Sequence, residues 1–185
     1  MDLDSALDRA RRTCASPEDL EALRGFLLSD GRDYDRAHAA LTLYLDQAPA
    51  IDQRVVDKYI EFPEDPMLSA AVLFSGTSRM GPVDAFWDKV LAIAAGQPWD
   101  ENNAARVQAL LALHYMPAGR VDVREIIRSN LLSDWKSVRD SAAIAAQRCF
   151  GRSELDVVSG GPSGRLIERV GEDVLTWLWP ERRAQ

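Results

Sequence analysis

The sequence predicts an all-α fold, a right-handed α-solenoid of about four to five antiparallel helical hairpins. The first observation is a repeated unit in which an aspartate stands at the corner between two helical segments. These corner residues are spaced 35, 35 and 34 apart, at Asp30, Asp65, Asp100 and Asp134. A period of this length with two helices per unit is typical of helical repeat proteins. The second observation is that no alternating apolar and polar stretch is long enough to predict a strand.

The helices follow from start signals and apolar spacing. A capping helix is predicted over residues 1–15, where Leu3, Leu7 and Ala10 recur at helical spacing. The next helix starts at Ser16-Pro17, because serine is a favoured N-cap and proline is tolerated at the first helical position. Four hairpins are predicted over residues 16–150, with helices at 17–28 and 34–46, 51–62 and 67–74, 83–95 and 103–115, and 123–132 and 137–150.

The rest of the chain is predicted to close the array. Residues 151–164 contain three glycines and a proline beyond Gly151, which predicts a flexible loop. Residues 165–185 are predicted to form C-terminal capping helices, because terminal repeats have one face in water. We therefore predict one repeat domain over residues 1–185, with second helices lining a concave side. In the first hairpin the predicted inward stripe of the second helix is Ala37, Ala40, Leu41, Tyr44 and Leu45.

The corners and second helices resemble HEAT repeats, a family of helical hairpins, and more loosely the armadillo group. The resemblance covers residues 16–150 and lies in a corner aspartate followed by an arginine, in the pairs Asp30 with Arg36, Asp100 with Arg106, and Asp134 with Arg139. It implies that the aspartate caps the second helix and forms a polar ladder with arginine between repeats. The copy at Asp65 lacks the arginine. This architecture serves many unrelated tasks, so the resemblance implies no function.

Composition and charge restrict the function. The formal net charge is −7 and the pI is about 4.9. The acidity lies in residues 1–100, which carry a net −8, against +1 for residues 101–185. Nucleic acids and anionic membranes require a dominant basic surface, so neither is expected as a partner. A protein partner with a basic surface is expected instead, while the alternative is an acidic surface that only maintains solubility.

Few residues suggest a cofactor, a metal or a leader. Cys14 and Cys149 are far apart and are predicted to be buried thiols. His38 and His114 lack a ligand spacing, and neither is followed by the glutamate found in the HEAT-like deoxyhypusine hydroxylases, so no metal and no cofactor is predicted. The N-terminus lacks an apolar stretch typical of a signal peptide, and we expect a cytoplasmic protein.

The candidate contact residues form two sets. The first is an acidic group with a net charge of −4 over residues 46–65, namely Asp46, Asp52, Asp57, Glu61, Glu64 and Asp65. The second consists of polar residues on the second helices together with a corner tryptophan, namely Arg36, Arg106, Gln108, Arg139, Gln147 and Trp135. Either set could bind a partner, whereas a solvated acidic face and an arginine ladder between repeats are the purely structural alternatives.

The sequence therefore predicts a non-catalytic protein-binding module, such as an adaptor, an assembly factor or an immunity-type inhibitor. The alternative is an enzyme on the same scaffold. Trp99 and Trp135 flank the corner residues Asp100 and Asp134, and tryptophan beside an acid on helical repeats resembles the alkylpurine DNA glycosylases. A positive groove would favour that enzyme, and the net charge opposes one.

Overall fold

The computed structural model describes residues 2–81, 83–117, 122–151 and 172–180. Within these ranges every regular element is helical and no β-strand occurs, which confirms the all-α prediction. The chain divides into two compact units, Met1–Lys89 and Val90–Gln185, and passes from one to the other inside a helix. The single repeat domain over residues 1–185 stays a prediction.

The first unit contains five α-helices and the start of a sixth. The fifth α-helix continues into a π-helical turn and then a short 3₁₀ turn, so that it extends beyond the predicted end at residue 74. The bounds are α1 Leu3–Arg12, α2 Pro17–Leu28, α3 Tyr34–Gln47, α4 Gln53–Tyr59, α5 Pro66–Ala71, the π-helical turn Val72–Gly76, the 3₁₀ turn Thr77–Arg79, and α6 Asp84–Ala95.

The predicted start of α2 is confirmed in detail. Ser16 Oγ accepts a hydrogen bond from the Asp19 N–H at 3.1 Å, and the Asp19 carboxylate accepts one from the Ser16 N–H at 3.1 Å. This reciprocal pair is a capping box, and Pro17 follows it at the first helical position. Two orphan N–H groups are thereby satisfied, which fixes where α2 begins.

The capping residue of α3 differs from the prediction. Asp33, and not the corner residue Asp30, accepts a hydrogen bond from the Arg36 N–H, at 3.1 Å. Both aspartates suit an N-cap chemically, but only the one next to the first helical residue reaches the free N–H groups. At the next corner Asp65 caps α5 as predicted, because its Oδ1 accepts from the Met67 N–H at 3.0 Å.

The core of the first unit confirms the predicted stripe on α3. All five predicted residues, Ala37, Ala40, Leu41, Tyr44 and Leu45, are buried. Helices α1, α2 and α3 contact one another, α2 also contacts α4, and α3 also contacts α5. Helix α4 is shorter than the predicted 51–62, since Asp52 caps it at the start and Pro63 disfavours helical geometry at Phe62.

The described residues of the second unit contain the end of α6 and four further α-helices. Helix α9 contacts α7, α8 and α10, and α10 also contacts α8. The bounds are α7 Ala104–Ala112, a 3₁₀ turn Leu113–Tyr115, α8 Arg124–Leu131, α9 Lys136–Phe150 and α10 Glu172–Leu178. Helix α10 confirms a helix near the C-terminus, whereas the predicted loop from residue 152 and the helix predicted to begin at residue 165 lie outside the described residues.

Candidate functional site

Asp52 lies at the N-terminus of α4 and is enclosed by arginines. Its Oδ2 accepts hydrogen bonds from Arg54 Nη2 at 2.6 Å and from Arg24 Nη1 at 2.8 Å. The hydrogen bonds from Arg54 and Arg24 hold the pKa of Asp52 well below its ordinary value of 3.8. The same carboxylate caps α4 by accepting from the Arg54 N–H. Asp52 is therefore an internal ion-pair partner, which leaves little of its charge for a binding partner.

The other members of the acidic group divide into paired and exposed carboxylates. Asp57 accepts from Gln53 Nε2 at 3.0 Å and lies 3.7 Å from the Lys89 ammonium. Asp65 is occupied as the cap of α5. The remaining members are exposed, namely Asp46, Glu61 and Glu64. Three members of the predicted acidic group thus have partners inside the first unit, although Asp57 is also exposed, and the other three face solvent.

The basic residues in the same part of the first unit point to backbone carbonyls. Lys58 Nζ donates to the carbonyl oxygen of Leu27 at 2.9 Å and to that of Ser29, so its charge lies at the C-terminus of α2. The Arg79 guanidinium donates to the carbonyl oxygens of Leu45 and Ala48, at the end of α3. Cations at these positions complement the helix dipole. Lys58 also lines a hollow with Arg32 and Glu64, so its charge lies close to part of the acidic group.

The solvent side of α5 and the π-helical turn is apolar. Within residues 66–77, all of which are described, only Met67 and Phe74 are exposed. Met67 is 52% exposed and Phe74 is 74% exposed. The outward side of a surface helix normally carries polar side chains. Sequence analysis missed this pair because methionine and phenylalanine at helical spacing predict core residues.

Arg106, predicted as a contact residue, is held inside the second unit. Its Nε donates to Asn130 Oδ1 at 2.7 Å, and its Nη1 lies 3.4 Å from Asn103 Oδ1. Asn130 is fully buried on α8 and also donates to the Ala94 carbonyl oxygen at 3.0 Å. Arg106 therefore joins α7 to α8 and supports the fold. The predicted contact residue Gln147 is buried as well, while Gln108 is half-buried.

The corner aspartates of the second unit play different parts. Asp100 is buried and accepts hydrogen bonds from the N–H groups of Arg106 at 2.8 Å and Ala105 at 3.3 Å, so it satisfies the start of α7 as predicted. The side chain of Asp134 does not cap α9, whose N-cap residue is Trp135 and makes no side-chain capping bond. Arg139 Nη1 donates instead to the carbonyl oxygens of Ser133 at 2.7 Å and Asp134 at 2.8 Å.

Arg36 shows a third arrangement of the predicted aspartate–arginine pairs. Its guanidinium lies 3.1 Å from Asp4 on α1 and 3.4 Å from Asp33. None of the described guanidinium groups of Arg36, Arg106 and Arg139 is paired with the corner aspartate that the resemblance assigned to it. The residues of the three predicted pairs, at corners 30, 100 and 134, therefore make different contacts at each corner.

The turn between α8 and α9, which we call the corner surface, presents two large apolar side chains. Leu132 is 78% exposed and Trp135 is 51% exposed. The backbone beneath them is fixed: the Trp135 N–H donates to Ser133 Oγ at 3.3 Å, and the Trp135 carbonyl accepts from the Arg139 N–H at 3.1 Å. The corner surface is the predicted site residue Trp135 together with Leu132, which the sequence placed inside a helix.

Three other tryptophans, Trp87, Trp177 and Trp179, contribute to packing. Trp87 is buried, and its Nε1 donates to the Gly81 carbonyl oxygen at 2.8 Å. The rings of Trp177 and Phe150 lie 6.0 Å apart, and the Arg128 guanidinium lies 5.7 Å from the Trp179 ring. Such contacts stabilise helix pairs. Among the tryptophans of the described residues, Trp135 is the exposed one and remains a candidate contact.

The cysteines and histidines give little evidence of chemistry. Cys14 is exposed, so the prediction that it is buried is wrong; it follows the end of α1 instead of facing the core. Cys149 is half-buried, and desolvation raises the pKa of its thiol to about 11, which keeps it protonated. Desolvation lowers the pKa of His114, whose ring lies 3.8 Å from that of Tyr115.

A shallow cavity of about 450 Å³ lies between α2 and the end of α3. Its polar groups are used inside the first unit. Gln47 accepts from the Ala15 N–H at 2.7 Å and donates to the Ala10 carbonyl at 3.0 Å. The Tyr44 hydroxyl accepts from the Asp52 N–H at 3.0 Å. These contacts make Gln47 and Tyr44 structural residues of the loop connections around the cavity.

The described residues contain neither a metal-binding cluster nor a membrane-spanning helix. No group of three or more histidine, cysteine, aspartate or glutamate side chains there could hold a metal ion. No helix in this part of the chain has the length and apolar character needed to span a membrane. Comparison with protein-family models, with curated proteins and with solved structures finds no match to this chain.

Proposed function

We propose that this chain is a non-catalytic protein-binding module built from stacked helical hairpins. In the first unit α2 pairs with α3 and also packs on α4, while α3 packs on α5. In the second unit α9 pairs with α8 and also packs on α7. In a HEAT-like α-solenoid, the first helices of neighbouring hairpins pack on each other, and so do their second helices. This packing supports a stack of hairpins within each unit.

The observation that carries the binding function is the corner surface. A tryptophan and a leucine three residues apart are both more than half exposed, on a turn whose backbone is held by side-chain and backbone hydrogen bonds. Tryptophan is the residue most enriched among the energetic hot spots of protein interfaces. A fixed backbone lowers the entropy lost when such a side chain is bound. Leu132 and Trp135 therefore form a preorganised apolar contact for another protein.

The acidic balance of the chain favours a protein partner over a nucleic acid. The net charge of −7 opposes the approach of phosphate backbones. The acids beside the corner tryptophans also support binding over base excision. Asp100, which follows Trp99, is buried and accepts two backbone N–H groups, so its carboxylate is occupied.

The test uses the full chain as bait in a lysate of its native host, followed by identification of retained proteins. Each candidate partner is then purified and titrated calorimetrically against the wild type and against the double variant Leu132→Ser/Trp135→Ser. The matched control is Tyr115→Ser, which removes another half-exposed aromatic side chain of the second unit. We expect the double variant to weaken binding by about tenfold or more, and the control by less than about twofold.

The proposal fails if no purified partner binds the wild type, or if the double variant binds as tightly as the wild type. Circular dichroism of each variant confirms that the helices remain. Because both substituted side chains are exposed, the fold should tolerate serine at both positions.

A further inference from the structure

The first unit carries a second apolar surface, the outward side of α5 and the π-helical turn. Met67 and Phe74 are seven residues apart. The segment between them is α-helical as far as Ala71 and π-helical from Val72, so this spacing is a little less than two turns and the two side chains project from the same half of the helix. The other residues from 68 to 77 are buried. The exposed side of the segment thus consists of one flexible and one aromatic apolar side chain, and we call it the α5 face.

The neighbouring packing shows why Phe74 faces outward. Val72 and Leu73 are buried on the inner side of the π-helical turn, and Thr77 Oγ1 donates to the Leu73 carbonyl oxygen. A π-helical turn accommodates an extra residue, and such turns are frequent at functional sites. The large apolar residues that pack inward from this turn are Val72 and Leu73, and Phe74 is not among them, so its ring is available for contact.

The charge around the α5 face is negative. Glu61 and Glu64 are exposed just before Asp65 caps α5, and no hydrogen bond or ion pair in the described part of the chain engages either carboxylate. Lys58 and Arg32 line a hollow together with Asp30 and Glu64, and these two cations offset part of the acidic charge. The acids Asp30, Glu61, Glu64 and Asp65 outnumber the two cations, so the apolar pair is bordered at one end by a net negative charge.

We propose that the α5 face binds a basic amphipathic helix of a partner protein. Apolar side chains of that helix, spaced by one to two turns, contact Met67 and Phe74, and lysine or arginine at one end of it meets Glu61 and Glu64. Helix recognition by an apolar surface uses anchors at this spacing, methionine adapts to different anchor shapes, and the acidic border sets orientation and association rate. The inference rests on the protein-binding function proposed above but not on the corner surface.

The test is direct binding of synthetic helices to the full chain, measured by fluorescence anisotropy. The probe is a labelled amphipathic peptide of about 18 residues, five turns, with leucine on one face and lysine on the other. Two control peptides are used. One has the same composition with leucine scattered around the helix, and the other has glutamate in place of lysine.

We expect the leucine–lysine peptide to bind the wild type and the control peptides to bind at least about tenfold more weakly. Met67→Ser/Phe74→Ser should weaken binding of the first peptide by about tenfold or more. Glu61→Gln/Glu64→Gln should weaken it less and flatten its dependence on salt, since it removes only the electrostatic contribution. Tyr115→Ser, which removes an exposed aromatic side chain outside both proposed surfaces, should leave it unchanged.

Several results would overturn the inference. If the scattered peptide binds as tightly as the amphipathic one, charge alone attracts the peptide. If Met67→Ser/Phe74→Ser binds the amphipathic peptide as tightly as the wild type does, the peptide binds at another surface. A wild-type dimer in sedimentation that Phe74→Ser converts to monomer would make a second copy of this chain the occupant. If the peptide does not bind but binding of a purified partner still depends on Trp135, only this inference is refuted. If the peptide binds at the α5 face but no partner depends on Trp135, only the proposal for the corner surface is refuted.

Discussion

The Arg106 side chain donates from Nε to Asn130 Oδ1 at 2.7 Å, and Asn130 in turn donates from Nδ2 to the Ala94 carbonyl oxygen at 3.0 Å. One buried asparagine in the last turn of α8 thereby connects this helix to the end of α6 and to the first turn of α7. A buried polar side chain is tolerated when all its hydrogen bonds are made, and its removal leaves its partners unsatisfied. The hydrogen bonds of Asn130 therefore help to hold these helices of the second unit together.

Asn130→Ala should lower the free energy of unfolding by about 2–4 kcal/mol, because the Ala94 carbonyl and the Arg106 guanidinium each lose a buried partner. Urea denaturation followed by circular dichroism measures the change. The control is Asn102→Ala, in an exposed turn of the same unit, which should stay within about 0.5 kcal/mol. Similar losses in both variants would contradict the structural role of Asn130.

Gly96 lies beneath the same arginine. Its φ of 103° is one that side-chain-bearing residues rarely adopt, and a Cβ atom there would lie 3.2 Å from Arg106 Cζ and Nη1. Gly96→Ala should therefore destabilise the protein by about 1–3 kcal/mol through backbone strain, with a contribution from displacement of the guanidinium. Thermal and urea unfolding of the variant check this value.

The matched control is Gly25→Ala, because Gly25 lies within α2 and a Cβ atom there would meet nothing within 4 Å. Alanine is the better helix former, so Gly25→Ala should stabilise the protein by about 0.5–1 kcal/mol. The two substitutions are chemically identical and should have opposite signs. A stabilising Gly96→Ala would show that the guanidinium and the backbone relax without cost.

Local patterns predicted the helices better than they predicted polar contacts. The capping box at Ser16 and the apolar stripe of α3 depend on residues within a few positions of each other, and both are confirmed. The partner of Arg106 lies 24 residues away, so no local pattern identifies Asn130. The π-helical turn also escaped prediction, because apolar spacing at a period of 3.6 cannot reveal an extra residue in one turn.

The candidate surfaces were predicted in part. Trp135 was identified from its place beside a corner, but tryptophan, methionine and phenylalanine are core residues by composition, and their exposure is decided by distant packing. The acidic group was recognised as a run of charge. Sequence could not show that Asp52 is paired with Arg24, 28 residues away, while Glu61 and Glu64 remain exposed.

The Asp19 carboxylate should make stability depend on acid pH. Hydrogen bonds from Arg9, at 2.9 Å from Nε, lower the pKa of Asp19 from 3.8 to about 2, and the Ser16 N–H adds to this. A carboxyl whose pKa is depressed by folding stabilises the protein above its unfolded pKa, and this contribution is lost as the pH falls through the folded pKa. Stability should therefore decline between about pH 4 and pH 2.

Thermal unfolding of the wild type and Asp19→Asn at pH 6, 4 and 2.5 tests this dependence. The wild type should be the more stable at pH 6, and the difference should shrink at pH 2.5, because the carboxyl is then protonated in the unfolded chain and begins to take up a proton in the folded one. Arg9→Gln removes the donor of the ion pair, so its stability difference from the wild type should also shrink at pH 2.5. A difference that stays constant over the whole range would mean that Asp19 acts only through the neutral hydrogen bonds of the capping box.

The cap of α3 provides a comparison between two aspartates three residues apart. Asp33→Ala should lower the free energy of unfolding by about 0.5–2 kcal/mol, because the Arg36 N–H loses its acceptor and the helix loses a favourable charge at its N-terminus. Asp30→Ala, at the exposed residue that the repeat spacing had identified, should stay within about 0.5 kcal/mol. Urea denaturation of both variants decides between them. An equal or larger loss for Asp30→Ala would restore the corner residue as the cap and contradict the hydrogen bond from Arg36 to Asp33.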